Sequence, residues 1–337
     1  MKRSLRILLI LFCLLALCGC AGTAEPAPSA PAPSVLSLRA LPDLTAEEAE
    51  RMACFLNANR ALIQGSKLYC YDFDDAWAPV LGRYTLRNGR LREYTVLAEG
   101  CVPEYLSLEG DTLYYIDRTS GDIESVPAEG GARRRLRFGP CNSLSLRAGR
   151  LYFCDDAGRF CSMALDGSGE VVLLDEPCAY AYPLGEAVLY QALNDGGRLH
   201  LRWLDDGEDR LLSLLPAYAP LIADGRLWYS ADDGLHSTDL DGLDEIVYPL
   251  PASAFPAELL PRKDGLLVRV LTDENGMGQQ FGPPEGPFSA TGRGYHLCDW
   301  LGDGWQVDTV YEPDGRIRCF LLTSPRGRQT SFIAGRA

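Results

Sequence analysis

The sequence predicts an all-β fold: a β-propeller, a ring of four-stranded blades, with one short helix ahead of it. Three observations predict it. Short runs of alternating apolar and polar residues recur from about residue 60 onward, separated by turns rich in Gly and Asp. Gly 34 and Pro 22 in 337 residues favour many turns over long helices. The runs repeat with a period near 40, four to a unit, which is the signature of propeller blades. One blade has two apolar faces that it cannot bury alone, and stacking in a ring covers them.

The repeat is visible by sliding the chain against itself. Leu106-Ser107-Leu108-Glu109-Gly110 precedes Leu113-Tyr114-Tyr115-Ile116-Asp117. Leu144 to Gly149 precedes Leu151-Tyr152-Phe153-Cys154-Asp155, and Leu221 to Gly225 precedes Leu227-Trp228-Tyr229-Ser230. Shorter copies begin at Leu62 and Pro183. Taking Tyr69, Tyr114, Tyr152, Tyr190, Trp228, Leu267 and Gln306 as second-strand anchors gives steps of 45, 38, 38, 38, 39 and 39. Trp228 is thereby expected between two blades, and Arg226 at a turn. The alternation fits the two-residue side-chain period of a strand.

Leu113 to Asp117 followed by Gly121 to Val126 resembles the YWTD repeat of low-density-lipoprotein-receptor-type propellers. Leu151 to Ser168 and Leu227 to Gly242 are similar. The Tyr-Trp-Thr-Asp string itself is nowhere intact. Bacterial lipoproteins with such repeats form a family of unknown function, and the resemblance implies six blades and no catalytic residues. The repeat count gives seven, the last running from Leu297 to Ile333 around the turn Glu312-Pro313-Asp314-Gly315. The count turns on Thr272 to Gly294, which holds six Gly and three Pro and shows no clear strands. If that stretch is only a loop, the ring has six blades.

Four segments follow: a signal peptide at 1–19, a lipidated Cys and tether at 20–44, a helical lead-in at 45–58 and the propeller at 59–337. Lys2, Arg3 and Arg6 precede an apolar run from Ile7 to Leu17. That run is shorter than the ~20 residues that span a membrane and reads as a secretory signal. Leu17-Cys18-Gly19-Cys20 resembles a bacterial lipobox, with Cys18 where Ala or Ser is usual, which makes Cys20 the lipidated residue. Ala21 to Ser34 alternates Pro with small residues, a semi-rigid spacer. Thr45-Ala46-Glu47-Glu48 is a capping box opening a helix from Ala46 to Leu56, which would pack outside the ring or plug one end.

Composition limits partners. The chain has 46 acids and 32 bases; after residue 19, 46 acids against 29 bases leave −17. That sets aside nucleic acid as the default partner, and no cofactor is expected. Nine cysteines remain in the body, from Cys54 to Cys319, with no CxxC, so a zinc framework is not expected. Cys154 and Cys161 face each other if their hairpin closes over Ala157-Gly158; the plainer reading is small buried hydrophobes.

Catalytic motifs are sparse. His200 lies in an alternating run and reads as a strand residue. His296 and Cys298 share a strand face, which position alone explains. Asp239, Asp241 and Asp244 fail as a calcium loop, because the twelfth position is Leu250. The pairs Asp74-Asp75, Asp155-Asp156, Asp205-Asp206 and Asp232-Asp233 read as turn chemistry that would also line one rim with acid. The expectation is therefore a protein that is not an enzyme: a binding module for an envelope protein, peptide or glycan, anchored through Cys20. A lyase or hydrolase is the alternative. Gln279, Gln280, Phe281 and Phe288, in the Gly- and Pro-rich stretch, are the candidate partner contacts.

Overall fold

The computed structural model describes residues 39–242, 244–250, 255–262, 265–272, 276–281, 289–293, 295–312 and 316–332. From Ala40 onward they form one compact unit. Its strands make seven four-stranded sheets, each in simple chain order. The sheets occupy residues 61–99, 103–137, 143–174, 178–211, 218–248, 255–293 and 295–332. Successive strands pair antiparallel, so every 1–2 and 3–4 turn lies at one end of the ring. Every 2–3 turn and every link between sheets lies at the other.

The first hairpin of each sheet has the same register. Gln64 pairs with Lys67, Glu109 with Thr112, Arg147 with Arg150, Ala223 with Arg226 and Gly302 with Trp305. Two residues close each turn. Asp224-Gly225 and Asp303-Gly304 do so with φ of +53°, +70°, +51° and +74°. That is the doubly positive geometry whose twist matches the strands, which is why Asp-Gly recurs there.

First strands pack side by side around the centre: first sheet on second, second on third, third on fourth, fifth on sixth, and seventh back on first. Gln191 Nε2 in the fourth sheet donates to Ala217 O, just ahead of the fifth, at 2.8 Å. Side chains from facing sheets fill each gap. Tyr115 packs with Tyr69, Leu81 and Leu97 of the first sheet, whereas Tyr114, its neighbour in the strand, packs with Leu144, Leu151 and Phe153 of the third. Strand alternation thus sends successive residues to opposite interfaces.

That alternation corrects one expectation. Second strands start at Thr112, Arg150, Ala187 and Arg226, so the steps are 38, 37 and 39. The equivalent fully buried aromatics are Tyr115, Phe153, Tyr190 and Tyr229. Trp228 sits on the other face, partly buried and stacked on Tyr248 at 5.9 Å. Arg226 is busier than a turn residue: it donates to Ser237 Oγ at 2.5 Å and Asp244 O at 2.9 Å.

Thr272 to Gly294 holds two strands after all, Gly276–Phe281 and Ser289–Arg293. They are the third and fourth strands of the sixth sheet, with Leu267 opposite Phe281 and Gln279 opposite Ser289. Glycine hides strand propensity here, while the ladder supplies the backbone bonds. The cysteine hairpin also differs. Asp155 N donates to Arg159 O, which leaves Cys154 opposite Phe160 and Cys161 opposite Phe153. One residue of slip puts the two thiols on opposite faces. Both are buried and reduced, in separate apolar clusters.

The helix α1, Ala46–Leu56, has the expected capping box: Glu48 N donates to Thr45 Oγ1 at 3.3 Å, and Thr45 N to Glu48 Oε2 at 3.1 Å. It plugs the ring. It packs on first strands of the third, fifth, sixth and seventh sheets. Met52 and Ala53 are fully enclosed, and Phe55 lies 5.0 Å from Tyr182 and 5.6 Å from Tyr105. Cys54 is clasped by Leu301, whose N–H donates to Sγ at 3.2 Å while the thiol donates to its carbonyl at 3.3 Å.

Candidate functional site

Because α1 fills the ring's centre, what remains of the channel is a cavity of about 570 Å³ above the helix. It opens at the end where the first hairpins turn: Gln64, Glu109, Ala148 and Asp303 lie on its wall. Such a volume falls within the ~300–1,000 Å³ of small-molecule sites. The helix and the hairpins together supply five carboxylates, Glu47, Glu48, Glu50, Glu109 and Asp303, against the guanidiniums Arg51 and Arg147.

Two internal pairs brace the opening. Arg147 Nη2 reaches Glu48 Oε1 at 3.2 Å, pinning the helix to the third sheet, and Arg51 pairs with Glu47 at 3.0 Å along the helix. The Thr45 N–H, assisted by Arg147, holds the Glu48 carboxyl below its ordinary range. Burial and the neighbouring Asp303 charge push Glu50 above it. Tyr182 and Phe55 form the apolar side of the wall. The arrangement can receive a ligand bearing positive charge or amide donors. Its thiol, Cys54, is pushed up to about 12 by burial, the wrong direction for a nucleophile.

The sequence-marked residues lie elsewhere. Cys20 and Phe288 lie outside the described residues. Gln279, Gln280 and Phe281 are in the third strand of the sixth sheet, opposite Arg269, Val268 and Leu267; their side chains also lie outside the described residues. Cys298 is buried, donates to Trp300 O at 3.4 Å, and has its thiol raised well above the ordinary value by burial. Burial lowers His296.

The Asp pairs are turn devices. Asp74 Oδ1 accepts from Ala76 N at 2.9 Å and Ala78 N at 2.8 Å; Asp155 Oδ1 accepts from Ala157 N at 3.0 Å and Arg159 N at 2.8 Å. Their placement corrects the single acidic rim. Three pairs lie on 2–3 turns, whereas Asp205-Asp206 lies on a 3–4 turn at the opposite end. Among the described residues no three His, Cys, Asp or Glu side chains gather as metal ligands would.

One constellation was not read from the sequence. His200 sits between Asp209 (3.1 Å) and Asp195 (2.8 Å), its ring 5.4 Å from that of Tyr190. His236 sits between Glu245 (3.0 Å) and Asp233 (2.7 Å), stacked on Tyr229 at 4.9 Å. Tyr190 and Tyr229 each donate to the same carboxylate as their His, at 2.5 and 2.6 Å. The nine-residue step from His to that acid, common to both, was the available signal. Each His is on the third strand of its sheet, away from the channel lining, and the repetition marks a structural clamp.

No family model matches the chain, and no curated protein matches it. Solved structures do. A puromycin-hydrolysing peptidase of Mycobacterium tuberculosis matches at 13% identity and a TM-score of 0.59 over 87% of this chain and 55% of that one. A study of two prolyl endopeptidases supplies another, at 12% identity and 0.57, over 86% and 52%. A nidogen/laminin complex matches at 14% identity and 0.44, over 64% and 89%. The fold is a β-propeller. The receptor-type lipoprotein family has no support beyond that fold. The expectation of a protein that is not an enzyme is corrected: the solved propellers of similar shape include peptidases, so the fold gives no ground for setting catalysis aside. The chain spans about half the length of those peptidases.

Proposed function

We propose that the chain is a lipid-anchored extracytoplasmic propeller that binds an envelope protein, peptide or glycan in the channel cavity. The carrying observation is the cavity itself: closed below by α1, and walled by charged groups from the helix and from the hairpins of several sheets. A wall drawn from many blades presents a composite surface, which suits recognition. The excess of carboxylates favours a ligand with basic or amide groups. The lipobox-like Leu17 to Cys20 and the Pro-rich spacer support the anchor. Replacing Glu109 and Asp303 by Arg inverts the wall's charge without touching the core, and should abolish retention of the native envelope partner by the purified full chain. Cys20→Ala should release the protein from membranes or leave it unprocessed. A variant still carrying acyl label would end the anchor reading, and turnover of peptide amides by the purified chain would replace binding by hydrolysis.

A further inference from the structure

At the end of the ring opposite the acidic cavity, the second and third sheets part around a further cavity of about 510 Å³. Its walls are the 2–3 turn 118–121 and the link 140–142, with Tyr105 behind them. We propose that this cavity is a binding site for a neutral carbohydrate. It is separate from the channel cavity and does not rest on the function assigned to that one.

The walls are fixed before any ligand arrives. Cys141 N donates to Gly121 O at 3.0 Å, Gly139 N to Asp122 Oδ1 at 2.8 Å, and Thr119 N to Asp117 Oδ1 at 3.0 Å. Gly121 has φ of +77°, and a Cβ there would stand 2.7 Å from Pro140 Cα, so the two loops touch through backbone. Preorganised loops spare the ordering cost of binding. The back wall is strained. Tyr105 and Ala58 are both left-handed, at φ of +56° and +51°, and are joined by Tyr105 N to Ala58 O at 3.4 Å. Tyr105 lies in the first-strand irregularity between Glu104 and Ser107, which recurs in the fifth sheet with Ala219 at φ of +47°, so the repeat itself fixes this back wall.

Charge selects the ligand class. Arg118 and Glu104 pair at 2.8 Å and cancel, in a chain whose net charge is −14. A site for anions would carry surplus guanidinium, and one for cations surplus carboxylate. Here a planar donor fork, a carboxylate and the exposed amide of Asn142 stand together, with the hydroxyls of Thr119 and Ser120 beside them. Sugar hydroxyls both donate and accept, and a mixed set of planar groups meets both needs. Pro140 offers apolar surface to the C–H face of a sugar ring, and Tyr105, packed on Phe55 and donating its hydroxyl to Asn142 O at 2.8 Å, holds the link in place behind it.

The test uses the purified full chain in detergent and four soluble neutral probes: maltohexaose, cellohexaose, xylohexaose and chitohexaose. Calorimetry and ligand-observed NMR read binding. At least one probe should bind saturably, and added salt should leave the affinity unchanged, since no net charge is engaged. Arg118→Ala should weaken it by about tenfold or more, the loss expected for a hydrogen bond with one charged partner, and Asn142→Ala by about two- to tenfold, the loss expected for a neutral one. Arg118→Lys keeps the charge but loses the fork and should also weaken it. Glu109→Arg, in the channel cavity, should leave it unchanged. Thermal melts of each variant separate lost binding from lost fold, because Arg118 is 69% exposed and supports no core. Failure of all four probes at millimolar concentration would overturn the proposal. So would binding that salt abolishes, or binding that ignores both alanine variants in a folded protein.

Discussion

Arg60, just ahead of the first strand of the first sheet, donates from Nε to Asp299 Oδ1 in the seventh sheet at 2.9 Å. The same guanidinium reaches Tyr311 OH at 2.7 Å, and Thr309 donates to the other Asp299 oxygen. Among the described residues no strand is exchanged between the first and last sheets. Their seam is held among these residues by first-strand packing, by the ring contacts Tyr71–Phe320 and Tyr84–Phe332, and by the Arg60–Asp299 ion pair, whose side chains are 14% and 3% exposed. Burial works against both charges. For Arg60 the facing Asp299 and Tyr311 outweigh it and raise the guanidinium; for Asp299 burial wins and raises the carboxyl.

Arg60→Ala should therefore cost about 3–5 kcal/mol, because it leaves Asp299 buried without its counter-charge. Arg60→Ala with Asp299→Asn should recover part of that loss. Urea melts of the two variants check the order, and a double variant no better than the single would show that Arg60 acts by packing alone.

Tyr229→Ala should destabilise by about 3–5 kcal/mol, through lost burial, a cavity and the loss of its hydrogen bond to Glu245. Trp228→Ala, one residue earlier on the half-exposed face, should cost only about 1 kcal/mol. At about 2–4 °C per kcal/mol for a domain this large, calorimetry separates them easily. Equal shifts would mean that the fifth sheet is out of register.

The contrast between those two residues shows where sequence reading holds and where it stops. Repeat length and turn chemistry are local, so the Asp-Gly turns and the capping box of Thr45 and Glu48 were legible. Which of two adjacent aromatics faces the preceding blade depends on a single residue of phase, and the steps of 38, 37 and 39 hide it. The third strand of the sixth sheet was illegible because Gly276 and Gly278 break the alternation in the sequence, and its pairing with 267–272 shows only in the fold. The channel cavity was illegible too. Its wall joins Glu48, Glu109, Arg147 and Asp303, which are distant in the chain and meet only once the ring closes.

Stability should fall as pH rises from about 5 to 7 through Glu258. This carboxyl accepts from Arg269 Nη1 at 2.8 Å and from Cys298 N at 2.6 Å. Burial nevertheless pushes it to about 7, Arg269 offsetting only part of the cost and Asp308 adding to it. A raised acid binds its proton more tightly when folded. Its contribution is complete below the ordinary value of 4.5 and is lost as pH climbs through about 7. Glu258→Gln keeps one of the two acceptor contacts on its single amide oxygen, loses the other because the two donors reach different oxygens, and removes the titration, so the comparison is of slopes with pH rather than of absolute stabilities. The variant should gain about 1–3 kcal/mol on the native protein across that window. Parallel stability profiles for the two would show that Glu258 stays ionised throughout.

Thiol reactivity tests the burial of the whole blade array at once. Eight of the nine body cysteines are buried, and Cys319 alone is intermediate. Burial raises Cys154 and Cys161 to about 11 and Cys141 to about 12, so at pH 8 almost none is thiolate. Reaction with a disulfide reagent needs both thiolate and access. In the folded protein Cys319 should react first, and Cys319→Ser should remove that phase. The other eight should react together, at a rate set by unfolding and accelerated by denaturant, since a blade cannot expose one interface without losing its neighbour. Fast labelling of Cys154 or Cys161 in native buffer would mean that the interfaces around the third sheet open locally, and that the ring is not a single cooperative unit there.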